Sequence, residues 1–315
     1  MGTPKTLQQA IAHFADLDNC QQFIIELRWP DAKVRCPQCG SDKVSYLANA
    51  RLWKCYGGHP KAKFSLKVGT IMEDSPLGID KWLTAMWLIV NCKNGISSCE
   101  IARDLGITQK SAWHMAHRIR FALHHGSFEK LSGHVEVDET FIGGKARNMH
   151  LAQRKRRITG TGTKDKTAVM GMLERGGKIR TVVVENRRKS ALQGEVRKHV
   201  EAGTALYTDA LLSYDGLASD YAHQVVDHAV EYVDGQVHTN GLENFWSLLK
   251  RGLSGTYVSV EPFHLFRYLD EQAYRFNNRK DMNDGDRFML AVSQIVGKRL
   301  TWKQVTGAER QAQNN

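Results

Sequence analysis

The chain lacks the features that mark secreted and membrane proteins. Its N-terminus, MGTPKTLQQAIAHFADLDNC, has no charged segment followed by an apolar one, so we predict no signal peptide. The longest strongly apolar run, residues 82–90, is far shorter than the ~20 residues that a membrane span needs. Six cysteines among 315 residues are too few for a disulfide scaffold. We therefore expect a soluble, cytoplasmic protein without a membrane partner.

Acidic residues are too few to balance the basic ones. The 44 lysines and arginines exceed the 33 aspartates and glutamates, which leaves a formal net charge of +11. A surplus of this size favours an anionic partner, with nucleic acid first and a membrane surface second. No internal repeat or low-complexity run stands out, and the length allows about two or three domains.

Three cysteines and a histidine have the spacing of metal ligands. Cys36 and Cys39 form a Cys-x2-Cys knuckle, and Cys55-x3-His59 follows after 15 residues. Three thiolates and an imidazole give Zn²⁺ a closed tetrahedral site, which is typical of structural zinc. A surface histidine, with water or another residue as fourth ligand, is the alternative for His59. The remaining cysteines, for which we expect buried thiols, are Cys20, Cys92 and Cys99.

Residues 96–123, ISSCEIARDLGITQKSAWHMAHRIRFAL, have the pattern of a helix-turn-helix. Ser97 and Glu100 form a capping box, Gly106 permits the tight turn, and Thr108 can cap the second helix. That second helix would present polar and basic side chains to a DNA groove, although an ordinary helical hairpin is the alternative. The side chains predicted to contact DNA are Lys110, His114 and Arg118.

The densest basic segment is GKARNMHLAQRKRRITGTGTKDK, residues 144–166. Eight basic side chains accompany a single acid, Asp165, and the segment has little periodicity. This composition predicts an exposed loop that binds phosphates, with a merely solvated loop as the alternative. The candidate phosphate contacts are Arg154, Lys155, Arg156 and Arg157.

Three carboxylates are spaced so that a folded α/β domain could bring them together. HVEVDETFIGG is an alternating strand with Asp138 near its middle, and a second strand runs into Asp209. Glu243 lies on the polar stripe of a predicted helix, and Lys250 follows it by two turns, about 10 Å along the axis. Carboxylates that meet at one point repel each other unless cations hold them. Two Mg²⁺ ions about 4 Å apart would do so.

Other acids compete for these roles. Glu139 could replace Asp138, although strand alternation puts it on the opposite face, and Asp215 could replace Asp209 from the following turn. For the helical pair, a solvated face is the alternative. The segment between the two strands, TAVMGMLERGGKIRTVVVENR, predicts a hairpin, and a helix is predicted from about residue 189 to 200. The acids outside any predicted strand centre are Asp227 and Asp234.

These stretches resemble insertion-sequence transposases of the IS "fifteen-ninety-five" (IS1595) family, which join a zinc ribbon to a DDE domain. The blocks VEVDETFIGGK and VHTNGLENFWSLLKR carry the resemblance most specifically, and matching stretches run from about residue 31 to 280. The resemblance implies an RNase H-like mixed sheet as catalytic core. It implies that Asp138, Asp209 and Glu243 bind two catalytic Mg²⁺ or Mn²⁺ ions, with Lys250 assisting. The family's second knuckle is usually Cys-x2-Cys, whereas this chain has Cys-x3-His.

We therefore expect a DNA transposase, acting as a homo-oligomer in its DNA complex. Water would cleave the strand at the element's end, and the freed 3′-hydroxyl would then attack target DNA, without a protein nucleophile. The alternatives are an RNase H-like nuclease without strand transfer and a catalytically silent DNA-binding regulator. The predicted segments are a helical entry at 1–30, a zinc ribbon at 31–70, a helix-turn-helix-like DNA-binding segment at 77–125, an RNase H-like α/β transposase domain at 132–280, and a C-terminal helix and tail at 281–315.

Overall fold

The protein has two compact units. A computed structural model describes residues 4–124, 129–143, 150–152, 155, 166–226 and 238–308. One unit comprises Met1–His124 with Asp281–Asn315, and the other comprises His125–Lys280. Within these described ranges, no helix combines the length and the apolar character that crossing a membrane requires.

Helices and strands both contribute to the fold, as the predicted α/β class requires. In chain order the helices are α1 (Leu7–Phe14), α2 (Leu17–Arg28), α3 (Ile79–Asn91), α4 (Ser98–Leu105), α5 (Gln109–Leu123), α6 (Lys189–His199), α7 (Asn240–Gly252), α8 (Leu265–Asn277), α9 (Asp284–Ser293) and α10 (Trp302–Thr306). The strands are β1 (Val44–Leu47), β2 (Leu52–Cys55), β3 (Lys63–Phe64), β4 (His134–Ile142), β5 (Thr167–Glu174), β6 (Ile179–Val184), β7 (Ala205–Asp209) and β8 (Ala222–Val226).

Aromatic packing joins the two ends of the chain in the first unit. Phe288 of α9 is completely buried, and its ring centroid lies 5.7 Å from that of Phe14 in α1 and 5.2 Å from that of Trp87 in α3. The helical entry consists of two helices, because Asp16 interrupts the first and accepts a hydrogen bond from the N–H of Asp18 to cap the second. Residues after 281 therefore complete this core.

The zinc ribbon segment forms a small antiparallel sheet in the order β1-β2-β3. Trp53 lies opposite Tyr46 on one side and Phe64 on the other, with ring centroids 4.7 and 6.3 Å apart. These three rings are the sheet's main apolar contacts. Such a small core needs further support from a bound metal.

The caps and the turn predicted for the helix-turn-helix segment are confirmed. Ser97 and Glu100 make both hydrogen bonds of a capping box at the start of α4. Gly106 ends that helix with a φ of 59°, a left-handed conformation that favours glycine. Thr108 accepts a hydrogen bond from the N–H of Ser111 and so caps α5.

The second unit is built on a mixed five-stranded sheet in the order β6-β5-β4-β7-β8. The β4–β5 and β5–β6 pairs are antiparallel, whereas β4–β7 and β7–β8 are parallel. Leu192 and Val196 of α6 pack in one core cluster of this unit, and residues of α7 and α8 pack in another. The predicted mixed sheet and its β5–β6 hairpin are confirmed, and β8 is an additional strand.

Candidate carboxylate site and zinc ribbon

The register of two neighbouring strands brings Asp138 level with Asp209. Strand β4 pairs with β7 in parallel up to Glu136 opposite Tyr207. Two residues further along each strand, just beyond the last paired residues, are Asp138 and Asp209. Residues level with each other on parallel strands direct their side chains to the same face of the sheet. Two carboxylates are thereby directed to one face near the end of β7.

Helix α7 holds the third carboxylate beside this face. The indole Nε1–H of Trp246 donates a hydrogen bond to Asp138 Oδ2 at 2.9 Å, which attaches the helix to β4. Leu242, Trp246 and Leu249 are buried, while Glu243 and Lys250 are exposed, so the predicted division of this helix into apolar and polar faces is confirmed.

The three acids influence each other electrostatically. Burial raises the pKa of Asp138, and the charges of Asp209 and Glu243 raise it further, against the hydrogen bond from Trp246. The raised pKa of Asp138 therefore reflects its burial first and the two neighbouring negative charges second. The arrangement favours a divalent cation, because a cation neutralises those charges and carboxylate oxygens are the ligands that Mg²⁺ prefers.

Glu139 takes part in the charge cluster from the other face of β4. The hydroxyl of Tyr214 donates a hydrogen bond to Glu139 Oε1, and Tyr214 belongs to the core cluster that includes α6. Burial first, and then the charges of Asp209 and Asp138, raise the pKa of Glu139 to about 8. These contacts agree with the expected alternation, which puts Glu139 on the opposite face from Asp138. The spacing did not predict that the charges of Asp138 and Asp209 would nevertheless act on Glu139.

A glycine makes room for the indole that attaches α7. Gly171 of β5 lies directly opposite Asp138, and a Cβ built on it would be 2.6 Å from Trp246 Cζ2. A glycine inside a strand often marks the close approach of another group. A glycine at this position in a strand is therefore a signal in the sequence for a contact that the motif spacing does not predict.

The four predicted zinc ligands lie together. All ligand atoms of Cys36, Cys39, Cys55 and His59 fall within 4.8 Å of one another. The Sγ atoms of Cys39 and Cys55 are 3.6 Å apart, and Cys36 Sγ is 3.3 Å from His59 Nε2. A tetrahedron with Zn–S bonds of ~2.3 Å requires sulfurs about 3.8 Å apart, so the set fits Zn²⁺. Across the described part of the chain, no other group of potential metal ligands is as compact, the three acids included.

The surroundings of the sulfurs favour metal binding. Burial alone would raise the pKa of the Cys36 thiol, but the backbone N–H groups of Cys39 and Gln38 and the His59 ring lower it to about 7. A Cβ at Gly57 would lie 2.9 Å from Cys39 Sγ, so only glycine leaves this sulfur unobstructed. Thiolate is the form that binds metal, and a pKa near neutrality makes it readily available.

Two of the three predicted DNA contacts of α5, Lys110 and His114, lie against Trp302 of the C-terminal helix α10. The ring of Trp302 lies 5.2 Å from the ring of His114, and the ammonium of Lys110 lies 4.8 Å from the Trp302 centroid. Arg118 is only 5% exposed, and its guanidinium donates a hydrogen bond to the backbone carbonyl of Glu73. This position differs from the predicted groove contact and favours a packing role for Arg118, whereas Lys110 remains exposed.

The basic segment at residues 144–166, which was predicted as a loop, falls largely outside the described residues, and its described residues Leu151, Ala152 and Lys155 are helical. Lys155 is exposed. The other predicted phosphate contacts, which lie outside the described ranges, are Arg154, Arg156 and Arg157. The competing acids Asp227 and Asp234 lie outside them as well.

Two family matches place this chain, with its zinc ribbon and its mixed α/β domain, in the class of zinc-ribbon transposases. Residues 130–277 match the ISXO2-like transposase domain, and residues 16–57 match the transposase zinc-ribbon domain. The chain belongs to the IS1595 family of insertion-sequence transposases. The ribbon match ends before His59, so the fourth zinc ligand rests on the geometry alone.

Two relatives agree with this assignment. An uncharacterized protein in transposable element ISH50 of Halobacterium salinarum is 27% identical over 258 residues, which cover 78% of this chain and 85% of the relative. An uncharacterized transposase-like protein of Haemophilus influenzae is 34% identical over 102 residues, which cover 32% of this chain and 82% of the relative.

Proposed function

We propose that this transposase cleaves DNA at the ends of its element and transfers the freed 3′-hydroxyl into target DNA. Asp138, Asp209 and Glu243 hold the catalytic Mg²⁺ or Mn²⁺ ions. The observation that carries the proposal is the strand register, which brings Asp138 level with Asp209, together with the attachment of α7 to Asp138 through Trp246. The strand order, with three antiparallel strands followed by two parallel ones, supports an RNase H-like core.

The protein's own groups have distinct tasks in this reaction. Each of the three acids offers carboxylate oxygens to one region, and Trp246 orients Asp138 through its hydrogen bond. Bound Mg²⁺ or Mn²⁺ supplies charge neutralisation and alignment of the attacking and leaving oxygens at phosphorus. Lys250, exposed two turns beyond Glu243, contacts a neighbouring phosphate as a point charge.

DNA is the partner through three surfaces. The carboxylate site receives the reacting strand, and the net charge of +11 attracts the phosphate backbone. The basic segment at residues 144–166 and the exposed end of α5 supply further contacts. Joining two element ends to one target requires more than one active site, so the working form is a homo-oligomer on DNA. Zn²⁺ in the ribbon is structural.

Charge-removing variants test the catalytic assignment. Asp138→Asn, Asp209→Asn and Glu243→Gln should each abolish cleavage while leaving end binding intact, because each change removes a charged oxygen and little volume. Asp215→Asn makes the same change at the competing acid and should leave activity near that of the parent. A triad variant that cuts labelled element-end DNA at the parental rate would reject that residue.

A pre-cleaved end separates transposase from nuclease. The parent protein should join a pre-cut element end, bearing a 3′-hydroxyl, to a supercoiled target plasmid. A protein that nicks intact ends but never joins pre-cut ones would be a nuclease on the same fold. A protein that binds ends and does neither would be a regulator.

Lys250 should give a graded response. Lys250→Arg should keep part of the joining activity and Lys250→Ala should lose most of it, because arginine keeps the charge with a different reach. Melting curves should hardly change, since Lys250 is exposed. If Lys250→Ala joins DNA as well as the parent does, Lys250 has no role in the reaction and is only a solvated side chain.

The basic segment at residues 144–166 should act through salt-dependent DNA binding. Neutralising its four predicted contacts (Arg154, Lys155, Arg156 and Arg157) should weaken binding to any DNA sequence. The slope of log K against log salt should fall by about one unit per phosphate contact removed. An unchanged slope would contradict the assignment.

A further inference from the structure

The glutamate that precedes Asp138 by two residues is buried and has several polar partners. Glu136 is only 1% exposed, although it is on the same face of β4 as Asp138. Its Oε1 accepts a hydrogen bond from Arg175 Nε at 2.9 Å, and the ring nitrogen Nδ1 of His238 lies 3.5 Å away. Its Oε2 accepts a hydrogen bond from the backbone N–H of Leu242 at 3.0 Å. Both carboxylate oxygens are therefore engaged within the protein.

The bond to Leu242 caps helix α7 from outside the helix. The N-cap residue, Thr239, makes no side-chain capping bond, so the first-turn N–H groups lack the usual partner from their own segment. Glu136 accepts from the third residue of the helix, the position that an N-cap side chain normally serves. A negative charge is also favourable at a helix N-terminus. A strand residue thus performs the capping for α7.

Arg175 strengthens this cap on its other side. Its Nη2 donates to the carbonyl oxygen of His238 at 2.6 Å, and its guanidinium lies 4.1 Å from the centroid of the Tyr207 ring. The guanidinium therefore contacts β4 through Glu136, β7 through Tyr207, and His238, which lies two residues before the start of α7. Its charge compensates the buried carboxylate.

Close packing leaves α7 little freedom at this end. A Cβ on Gly241, the second residue of α7, would lie 2.8 Å from Glu136 Oε2 and 2.6 Å from Leu173 Cδ2. One turn later, Trp246 donates to Asp138 Oδ2. The helix is thus held to β4 at two points, and Glu243 follows the first point by one residue.

From these contacts we infer that Glu136 is a positioning residue that sets the distance of Glu243 from Asp138 and Asp209. Glu136 acts as a helix cap and does not bind the catalytic metal. The inference rests on the proposed function, because Glu243 has to be a metal ligand for its position to matter. Residues that orient metal ligands typically change metal affinity by about 10- to 100-fold when they are replaced.

A double-mutant cycle on Mn²⁺ affinity tests the inference. Glu136→Gln keeps the volume but places an amide N–H₂ where either Arg175 or the Leu242 N–H donates, so one contact is lost. We expect the Mn²⁺ affinity of Glu136→Gln to be about 10-fold or more below that of the parent. Titration calorimetry on the zinc-loaded protein measures this affinity. In a Glu243→Gln background the same change should have no further effect, since Glu136 acts through Glu243. Glu201→Gln, at an exposed glutamate of the same unit, should leave Mn²⁺ affinity unchanged.

Each other outcome overturns the inference in an identifiable way. Losses that add in the double variant would make Glu136 a metal ligand itself. A lower melting temperature with parental Mn²⁺ affinity would leave Glu136 with a purely structural role. Parental affinity in Glu243→Gln alone would reject the proposed function and the inference with it.

A second variant applies if Glu136→Gln fails to fold. Gly241→Ala introduces a Cβ between the start of α7 and Glu136 without changing any charge. It should also weaken Mn²⁺ binding, and the loss should again disappear in the Glu243→Gln background. Unchanged affinity in folded Gly241→Ala would overturn the inference.

Discussion

Replacing Gly171 by alanine should disturb the carboxylate site through packing alone. The new Cβ would lie 2.6 Å from Trp246 Cζ2, 2.8 Å from Trp246 Cη2 and 2.9 Å from Leu242 Cδ2. These distances are too short for carbon atoms, so the indole has to move away from the sheet. Its hydrogen bond to Asp138 is then lost.

The expected loss of stability in Gly171→Ala is the sum of two contributions. Overpacking of a core costs about 2 kcal/mol, and the lost hydrogen bond adds about 1 kcal/mol. For a unit of this size, about 3 kcal/mol lowers Tm by roughly 6 to 12 °C. Cleavage should fall more than stability would explain, because Asp138 loses the group that orients it.

Calorimetry and a cleavage assay on element-end DNA measure the two effects. Gly194→Ala is the matched control, since nothing lies within 4 Å of a Cβ there and the residue is in the middle of α6. It should raise the free energy of unfolding by about 1 kcal/mol through helix propensity. Trp246→Phe removes the two indole atoms that clash and leaves only the contact with Leu242, so Gly171→Ala should destabilise less in that background. Equal Tm values for Gly171→Ala and the parent would refute the packing argument.

Three further predictions concern zinc, thiols and pH. Cys36→Ser and His59→Ala should each lower zinc content below the parental value of about one ion per chain; unchanged content in His59→Ala would put the fourth ligand elsewhere. Burial, followed by the charges of Asp80 and Asp16, raises the pKa of Cys20 to about 12, whereas Cys99 is exposed. A thiol reagent at mildly alkaline pH should therefore modify Cys99 quickly and Cys20 only after unfolding, and peptide mass mapping that found equal rates would contradict this. Glu139 has its pKa raised from 4.5 to about 8, so the folded state holds this proton more tightly than the unfolded state does. Without added Mg²⁺, its contribution to stability should decline as pH rises through that window, by on the order of a few kcal/mol. The difference in unfolding free energy between Glu139→Gln and the parent should thus change with pH, and a constant difference would reject the raised pKa.

Local patterns predicted the elements of the site well. The strand predicted in HVEVDETFIGG is β4 at His134–Ile142, and the helix predicted from about 189 to 200 is α6 at Lys189–His199. Alternation and helical periodicity depend on which residues repeat along the chain, so they can be read locally. The cysteine spacing likewise predicted a cluster whose ligand atoms lie within 4.8 Å of one another.

Local patterns could not predict the contacts and the burial that depend on distant segments of the chain. Cys99 was expected to be buried and is exposed. Arg118 was expected at a DNA groove, but Glu73 and Trp82 surround its guanidinium. Strand β8 was missed because AHQVV is short and does not alternate between apolar and polar residues.

The sequence by itself determined the ligand spacing of the ribbon, the amphipathic faces of α7 and the three acids as a candidate set. The ribbon spacing and the helix faces depend on residues that are close together in the chain, and each acid is marked by the strand or helix pattern around it. Only the tertiary structure decided that Asp138 stands level with Asp209, that Trp246 reaches Asp138 over Gly171, and that Glu136 caps α7. These relations join residues tens of positions apart. They depend on strand register and on the close packing of a helix on a sheet, which no local pattern specifies.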